Sequence, residues 1–360
     1  MLQVISKVPS YVLFRRLNRP RKMPMNLTLS LSFRCNSTCK TCNIYKKKAE
    51  EFSLDEWIKL FHKLGRKDVF WVTISGGEPF LRKDLEQVVC ALYDICAPSI
   101  INIPTNGILS DRIPQIAGNI AAHCKNAHIV VNVSIDEIGD RHDEIRGVPG
   151  NFDKAVETVS SLKALRMPNL SVGIHTVISK FNVTRIPEIY MHLRSLGPDS
   201  YITEIAEERV ELDTIGADIT PAYDDYARAV DFLTGKLKYD RFDEVGRIAR
   251  AFRIEYYRLV KRILKERRQV IPCYSGFASA QVAPDGDVWM CCIKAKSIGN
   301  LREADYDFKK VWFSAEADVL RRSIKRGECY CPLANAGYTN MLHRVRSLFK
   351  AGLNLLSRQS

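Results

Sequence analysis

From residue 26 to about residue 206, strand-like and helix-like segments alternate, and this alternation restricts the fold of the 360-residue chain more than any other feature. Runs rich in β-branched and aromatic residues predict strands at 27–32, 70–75, 100–104, 129–135, 171–178 and 200–205. Amphipathic segments predict helices at 53–65, 84–96, 112–122, 151–166 and 184–196. The Ser53-x-x-Glu56 pattern is typical of a capping box at the start of the first of these helices. Alternating strands and helices form βα units around a parallel sheet, so the sequence predicts an α/β fold.

Three cysteines, Cys35, Cys39 and Cys42, follow the first predicted strand on one short loop. A four-iron cluster normally takes four cysteine ligands, so three thiolates in close register leave one iron without a protein ligand. Catalytic metal sites keep such an open position for a reactant. A zinc site completed by a distant fourth ligand is the other interpretation of this spacing, because C-x2-C pairs are common in zinc sites.

A second candidate ligand-binding loop follows the second predicted strand. Its sequence is Ser75-Gly76-Gly77-Glu78-Pro79. Two glycines let the backbone approach a ligand closely, and the Glu78 carboxylate can accept hydrogen bonds from an ammonium group. Taken alone, the same sequence is equally typical of a turn. Both loops follow strand ends, where barrels of βα units place their chemistry.

The cysteine run resembles the CxxxCxxC signature of radical S-adenosylmethionine (SAM) enzymes, and the second loop resembles the GGEP motif of that family. The resemblance implies a partial (β/α)6 TIM-like barrel and a catalytic 4Fe–4S cluster on Cys35, Cys39 and Cys42, whose open iron binds SAM. It further implies a 5′-deoxyadenosyl radical that abstracts hydrogen from a substrate C–H bond. The residues that the GGEP resemblance assigns to the methionyl end of SAM are Gly76, Gly77, Glu78 and Pro79.

The ends of the third and fourth predicted strands supply further candidates for contact with SAM. Thr105 and Asn106 end the third strand. Ser134 and Asp136 end the fourth, in a stretch that resembles the S-x-D…HD-x-IRG pattern of many family members. This resemblance implies that Ser134 contacts the ribose and that Asp136 does the same or orients a loop; an ordinary polar strand end is the alternative. His175, inside the fifth strand, is more typical of a packed residue, and we assign it no catalytic role.

A second group of cysteines lies near the C-terminus, and Asp285-Gly286-Asp287 between its members predicts a hairpin turn. This region resembles the SPASM/Twitch extension of radical SAM enzymes, which binds auxiliary iron–sulfur clusters. Full SPASM domains carry more cysteines for two clusters, and none follows Cys331 here, so we expect one auxiliary 4Fe–4S cluster. The Gly286-x4-Cys291 spacing favours Cys291 over Cys292, and a structural zinc ion is the alternative occupant. The four predicted ligands are Cys273, Cys291, Cys329 and Cys331.

Charge and hydropathy limit the partners and the location of the protein. The net charge of +13 favours anionic partners, but no zinc-finger, KH or RRM pattern points to nucleic acid. No apolar run of about 18 residues and no signal-peptide core is present, so we expect a cytoplasmic protein. The two ends mix apolar and basic residues, and a helix is predicted over 340–357, which suits peripheral contact with an anionic membrane. Packing of both ends on the barrel is the alternative.

A long amphipathic helix is predicted over 244–269, with a basic face that is either solvated or directed to an anionic substrate.

Taken together, these patterns divide the chain into five predicted parts. These are a basic amphipathic segment (1–23), the radical SAM barrel (24–206), a helical connector (207–270), the auxiliary-cluster domain (271–335) and a C-terminal amphipathic helix (336–360).

The predicted function is that of a radical SAM oxidoreductase that receives electrons from a donor such as flavodoxin or ferredoxin, with an auxiliary cluster that assists substrate oxidation. The sequence leaves three classes of substrate as alternatives: a lipid or lipid-linked molecule, a sugar or alcohol, and a peptide. Only 34 residues precede Cys35, fewer than a leader-peptide-binding domain needs, which weighs against the peptide option. The alternative functions are that of a peptide-modifying maturase of the same superfamily and that of a non-catalytic zinc or iron–sulfur binding protein.

Overall fold

The computed structural model describes residues 2–66, 68–237 and 244–356, and a nine-stranded sheet forms its centre. The strand order is β6-β5-β4-β3-β2-β1-β7-β8-β9. The strands are β1 (Asn26–Ser32), β2 (Trp71–Gly76), β3 (Ile100–Thr105), β4 (His128–Ser134), β5 (Leu170–Ile178), β6 (Ser200–Ile205), β7 (Ser279–Val282), β8 (Asp287–Trp289) and β9 (Ser297–Asn300).

Helices flank this sheet and connect its parallel strands. In the order of the chain they are α1 (Leu2–Leu17), α2 (Leu54–Leu64), α3 (Leu85–Cys96), α4 (Arg112–His123), α5 (Asp140–Arg146), α6 (Asn151–Ala164), α7 (Ile186–Ser195), α8 (Tyr223–Leu237), α9 (Glu244–Glu266), α10 (Phe308–Trp312), α11 (Ala315–Arg326), α12 (Ala334–Leu342) and α13 (Val345–Leu356). Of these, α5 is a short helix that the sequence patterns did not predict.

Strands β1 to β6 pair in parallel with their neighbours, which confirms the predicted partial (β/α)6 barrel. All six predicted strands and the five predicted barrel helices are present at nearly their predicted bounds. Residues 27–32 of β1 are buried on both faces, as expected for a parallel strand covered from both sides. Helix α2 buries Trp57, Leu60, Phe61 and Leu64, one stripe at helical spacing, against the core.

The C-terminal strands extend the barrel sheet. Strand β7 pairs in parallel with β1 and antiparallel with β8, so the predicted hairpin at 285–287 is confirmed. The pairing of β7 with β1 was not predicted from the sequence. It makes the C-terminal cysteine region continuous with the strand that leads into the Cys35 loop.

The connector predicted over 207–270 is only partly helical. Residues 207–222 form turns and irregular backbone before α8, and residues 238–243 lie outside the described part of the chain. The long helix predicted over 244–269 is confirmed as α9, which ends about one turn earlier, at Glu266. No helix within the described ranges is long and apolar enough to cross a membrane.

The single helix predicted over 340–357 is two helices, and this part of the prediction is wrong. The chain turns at His343 and Arg344, between α12 and α13. The turn keeps His343 buried, where its Nδ1 lies 2.7 Å from the Thr339 carbonyl oxygen and its ring stacks on Tyr274 at 4.4 Å. Residues 357–360 lie outside the described ranges.

The two ends of the chain pack differently. Helix α1 inserts Tyr11 and Phe14 into the core, which favours packing over membrane contact for this end. Helix α13 buries Ser347 and Ala351 but leaves Val345, Phe349 and Leu353 exposed. The predicted amphipathic character is therefore retained in α13.

Candidate active site

A cavity of about 210 Å³ opens at the carboxyl ends of the parallel strands. The loop after β1 and the ends of β2 to β6 all contribute to its wall, as expected for a barrel of βα units. The predicted site residues on this wall are Cys35, Cys39, Cys42, Gly76, Gly77, Glu78, Thr105, Asn106 and Ser134.

The three thiols of the β1 loop face this cavity and are half-buried. The backbone N–H of Ile44 donates to Cys42 Sγ at 3.5 Å, and Arg146 Nη1 donates to Cys39 Sγ at 3.9 Å. Burial raises the pKa of Cys35 to about 11 and that of Cys42 to about 12. The thiols are therefore protonated at neutral pH, and a metal that binds them must displace their protons.

Two glycines allow the segment after β2 to lie directly against the cysteine loop. Gly76 has φ of +120°, and a β-carbon there would lie 2.0 Å from the Ser32 carbonyl oxygen. A β-carbon on Gly77 would lie 2.1 Å from the Arg34 carbonyl oxygen. Both contacts are far shorter than any real β-carbon contact, so this approach of two backbones requires glycine at both positions.

Glu78 is buried and links the segment after β2 to the end of β3. Its Oε1 accepts from Thr105 Oγ1 at 2.9 Å, and its Oε2 accepts from the Asn106 backbone N–H at 2.7 Å. Burial raises the pKa of Glu78 to about 7 against the opposing effect of these donors. Asn106 Nδ2 in turn donates to Asn36 Oδ1 at 2.7 Å, so the end of β3 also orients the cysteine loop.

Two predicted contact residues lie beside the cavity rather than on its wall. Pro79 is buried and begins a short 3₁₀ turn. Asp136 is buried with its Oδ2 2.9 Å from Arg146 Nε, and its Oδ1 accepts from the Val177 backbone N–H at 2.8 Å. Asp136 therefore holds Arg146 against the cysteine loop, which matches the loop-orienting alternative for this residue.

A charged part of the cavity wall, at and after the end of β6, was not predicted from the sequence. Glu204 Oε1 lies 3.7 Å from both Arg209 Nη2 and His175 Nε2, and Glu207 Oε1 lies 3.4 Å from Arg209 Nη2. Glu207 Oε1 and Arg209 Nε are buried without a hydrogen bond in the described part of the chain. Burial raises the pKa of Glu207 to about 8 and lowers that of His175. The only signal in the sequence was the Glu204-x-x-Glu207-x-Arg209 pattern at the end of the sixth strand.

The C-terminal thiols influence one another electrostatically. Burial, together with Cys273 and Cys329, raises the pKa of Cys291 to about 11. Burial, Glu207, Cys273 and Cys291 raise the pKa of Cys331. Burial chiefly raises the pKa of Cys292 too, Cys291 adds to the increase, and Cys292 packs in the same apolar cluster as Cys331. The choice of Cys291 over Cys292 as a ligand stays a prediction.

The thiols that line the cavity are donor groups suited to an iron–sulfur cluster. Within residues 2–66, 68–237 and 244–356, no three Cys, His, Asp or Glu side chains converge as the ligands of one ion do. Thiolates around a four-iron cluster bind different irons, so they need not converge on one point. The three cavity thiols and the glycine cradle beside them fit a cluster with a ligand at its open position.

Comparison with known proteins agrees with this geometry. The profile of the radical SAM superfamily matches residues 29–193, and that of the SPASM iron–sulfur cluster-binding domain matches residues 273–332. The chain belongs to the radical SAM superfamily and carries a SPASM domain. It is therefore an enzyme whose cofactors are SAM and a 4Fe–4S cluster, with auxiliary iron–sulfur binding in the SPASM domain.

Two curated relatives align with most of the chain. Mycofactocin maturase MftC of Mycobacterium tuberculosis is 26% identical over 329 residues, which cover 88% of this chain and 78% of that protein. AdoMet-dependent heme synthase of Methanosarcina barkeri is 25% identical over 327 residues, which cover 87% of this chain and 88% of that protein. Streptococcus suis SuiB bound to its precursor peptide SuiA shares the fold, with a TM-score of 0.62 and 15% identity over 89% of this chain and 70% of SuiB.

Proposed function

We propose that this protein is a radical SAM enzyme that oxidises a C–H bond of a peptide. The observation that carries the proposal is the similarity to a peptide-modifying type of enzyme, a maturase, over 88% of the chain. The match spans 329 aligned residues, so it is confined neither to the radical SAM region nor to the SPASM domain. The fold shared with SuiB in its peptide complex is compatible with the same class of substrate.

When bound, the cluster and SAM would supply the radical chemistry that removes hydrogen from the substrate, and the protein would supply position. In this proposal Cys35, Cys39 and Cys42 hold the cluster. The Glu78 carboxylate, fixed by donors at the end of β3, accepts hydrogen bonds from the methionyl amino group. Ser134, on the wall at the end of β4, contacts the ribose.

The charged wall formed by Glu204, Glu207 and Arg209 is proposed to face the substrate. Burial raises the pKa of Glu207 to about 8 and lowers that of His175, so both side chains are mostly uncharged at neutral pH. The Glu207 carboxyl oxygen without a hydrogen bond suits a donor such as a peptide N–H group. Arg209 is shared between Glu204 and Glu207, so this wall offers little to a substrate with several carboxylates, such as a tetrapyrrole.

The C-terminal cysteines are proposed to hold the auxiliary cluster and to assist the oxidation. The segment after β6 joins the cavity wall to this region, because the Val210 and Glu211 backbone N–H groups donate to the Ile293 and Cys292 carbonyl oxygens. A substrate held at Glu207 would therefore lie between the two cysteine groups. This arrangement suits removal of an electron from the substrate toward the SPASM domain. A reduced flavodoxin or ferredoxin is the proposed electron donor.

The direct test incubates the reconstituted enzyme, SAM and dithionite with short peptides encoded beside its gene, and separately with coproporphyrin and heme precursors. We expect SAM-dependent loss of hydrogen from one peptide by mass spectrometry, with 5′-deoxyadenosine formed in step. We expect Glu207→Ala to lower the rate more than tenfold, with the iron content unchanged. Modification of a tetrapyrrole and of no peptide would contradict the proposal.

A further inference from the structure

A second cavity, of about 380 Å³, lies where α9, α12 and α13 meet, and it shares no lining residue with the candidate active site. Five basic residues and one acidic residue, Glu255, contribute to its wall. The basic residues are Arg258, Arg262, Arg344, Arg346 and Lys350. None of these residues has a place in the proposed reaction.

The positive charge of this cavity is only partly neutralised. Glu255 is shared between Arg258 Nη1 at 3.3 Å and Lys350 Nζ at 3.5 Å. Arg262 pairs with Glu266 at 3.0 Å outside the cavity wall. Arg344 and Arg346 form no ion pair with any acidic residue in the described ranges. The cavity therefore has the charge expected of a site for an anionic group.

An exposed apolar stripe lies on the same helix as part of this basic wall. Val345, Phe349 and Leu353 follow each other at intervals of four residues on α13, and they are 82%, 65% and 50% exposed. Arg346 and Lys350 stand one position further along, so they form the neighbouring stripe of the helix. Large apolar side chains beside basic ones on a helix surface are typical of helices that lie in a membrane interface.

We propose that the α13 surface, defined as this apolar stripe together with the basic cavity, docks on an anionic membrane. The three apolar side chains would enter the interface between headgroups and acyl chains, and the cavity would take the phosphate of an anionic phospholipid. The net charge of +13 favours the same partner. Neither a soluble anion nor a nucleic acid would account for the apolar stripe. The proposal is independent of the substrate of the active site.

The test is co-sedimentation of the full-length protein with vesicles of phosphatidylcholine, with and without phosphatidylglycerol. We expect binding only to the anionic vesicles, weakened by added salt. The double variant Arg344→Ala/Arg346→Ala should bind about thirtyfold more weakly, since each basic residue near an anionic surface contributes about 1 kcal/mol. The variant Phe349→Ser should also bind more weakly, because it removes part of the apolar contact.

The matched control is Lys83→Ala/Lys125→Ala, which removes the same charge from exposed positions that line neither cavity. It should bind like the wild type apart from a small loss from net charge. Thermal unfolding checks that Phe349→Ser, on an exposed position, retains the native fold. No binding to anionic vesicles, or equal binding of all variants, would overturn the proposal. Binding of inorganic phosphate without binding of vesicles would overturn it as well.

Discussion

At the scale of single residues, the candidate active site depends on two backbone segments that almost touch. The Gly77 and Glu78 N–H groups donate to the Ser32 and Arg34 carbonyl oxygens at 2.8 and 2.9 Å. This contact positions the Glu78 carboxylate beside the cysteine loop. The absence of side chains at Gly76 and Gly77 makes the contact possible.

The variant Gly77→Ala tests this contact. Its β-carbon would lie 2.1 Å from the Arg34 carbonyl oxygen, so the segment must move away from the cysteine loop. We expect the affinity of the reconstituted protein for SAM, measured by equilibrium dialysis, to fall at least tenfold, or about 1.4 kcal/mol.

The matched control for this variant is Gly235→Ala in α8, where a β-carbon would have no neighbour within 4 Å. Alanine is the better helix former, so Gly235→Ala should raise the free energy of unfolding by about 0.5–1 kcal/mol and leave SAM affinity unchanged. Unchanged SAM affinity in Gly77→Ala would show that the approach of the two backbones is not needed for the site.

Single residues also show which positions can be located from the sequence. The placement of Cys35, Cys39 and Cys42 on one cavity wall could be predicted, because their spacing is local and because they follow a recognisable strand. Glu207 and Arg209 were not, because their position on the cavity wall depends on the distance between β6 and the cysteine loop in the folded chain. Arg146 lies in the HD-x-IRG stretch, but its contact with Cys39 could not be predicted from the spacing of residues in the sequence.

At the scale of elements, the start of α2 illustrates one residue that serves two purposes. Glu56 completes the predicted capping box, because its Oε2 accepts from the Ser53 backbone N–H at 2.8 Å. Its Oε1 also lies 2.7 Å from Arg302 Nε, in the loop after β9, and accepts from Tyr306 at 3.0 Å. This carboxylate therefore connects a barrel helix to the C-terminal region.

The ion pair between Glu56 and Arg302 gives a prediction about stability in acid. The hydrogen bond from Arg302 is the main cause that lowers the pKa of Glu56 from 4.5 to about 2 in the folded state. A lowered pKa in the folded state stabilises the protein above the ordinary pKa, and this stabilisation is lost as the pH falls from 4.5 toward 2. We expect Glu56→Gln to lower the free energy of unfolding by about 1 kcal/mol at pH 7, allowing for solvent screening of a partly exposed pair.

Denaturant unfolding at each pH measures the difference in the free energy of unfolding between the wild type and Glu56→Gln. Loss of the clusters affects both proteins alike, so it cancels in this difference. The difference should shrink below pH 4.5. Asp55→Asn is the control, because Asp55 lies in the same first turn and forms no ion pair with the C-terminal region in the described part of the chain. A difference that is constant down to pH 2 would contradict the role of the Glu56 charge.

Elements that follow local periodicity were predicted well, and those that depend on tertiary contacts were not. The capping box and the six parallel strands are examples of the first kind. The break between α12 and α13 is of the second kind, because the apolar spacing continues through it. The burial of His343 between Tyr11 and Tyr274 decides where the helix ends. The pairing of β7 with β1 likewise depends on contacts that are distant in sequence.

At the scale of the whole molecule, one continuous sheet places the two cysteine regions next to each other. Gln281 on β7 donates to Ser30 on β1 at 3.0 Å and bonds to Glu211 after β6. The barrel, the segment after β6 and the C-terminal strands therefore contact one another beside the cysteine loop, where Ala283 and Trp289 pack in one cluster with Cys35 and Cys42. The proposed function places a substrate between a catalytic and an auxiliary cluster, and this arrangement of the two cysteine regions is compatible with that proposal.

The most direct test of the two-cluster account is the content of iron and acid-labile sulfide per chain after anaerobic reconstitution. We predict about eight irons in the wild type, since each cubane holds four. Replacement of Cys35, Cys39 and Cys42 by Ala should leave about four, and so should replacement of Cys273, Cys291, Cys329 and Cys331. Zinc without iron in the wild type, or iron that neither set of replacements lowers, would contradict the account.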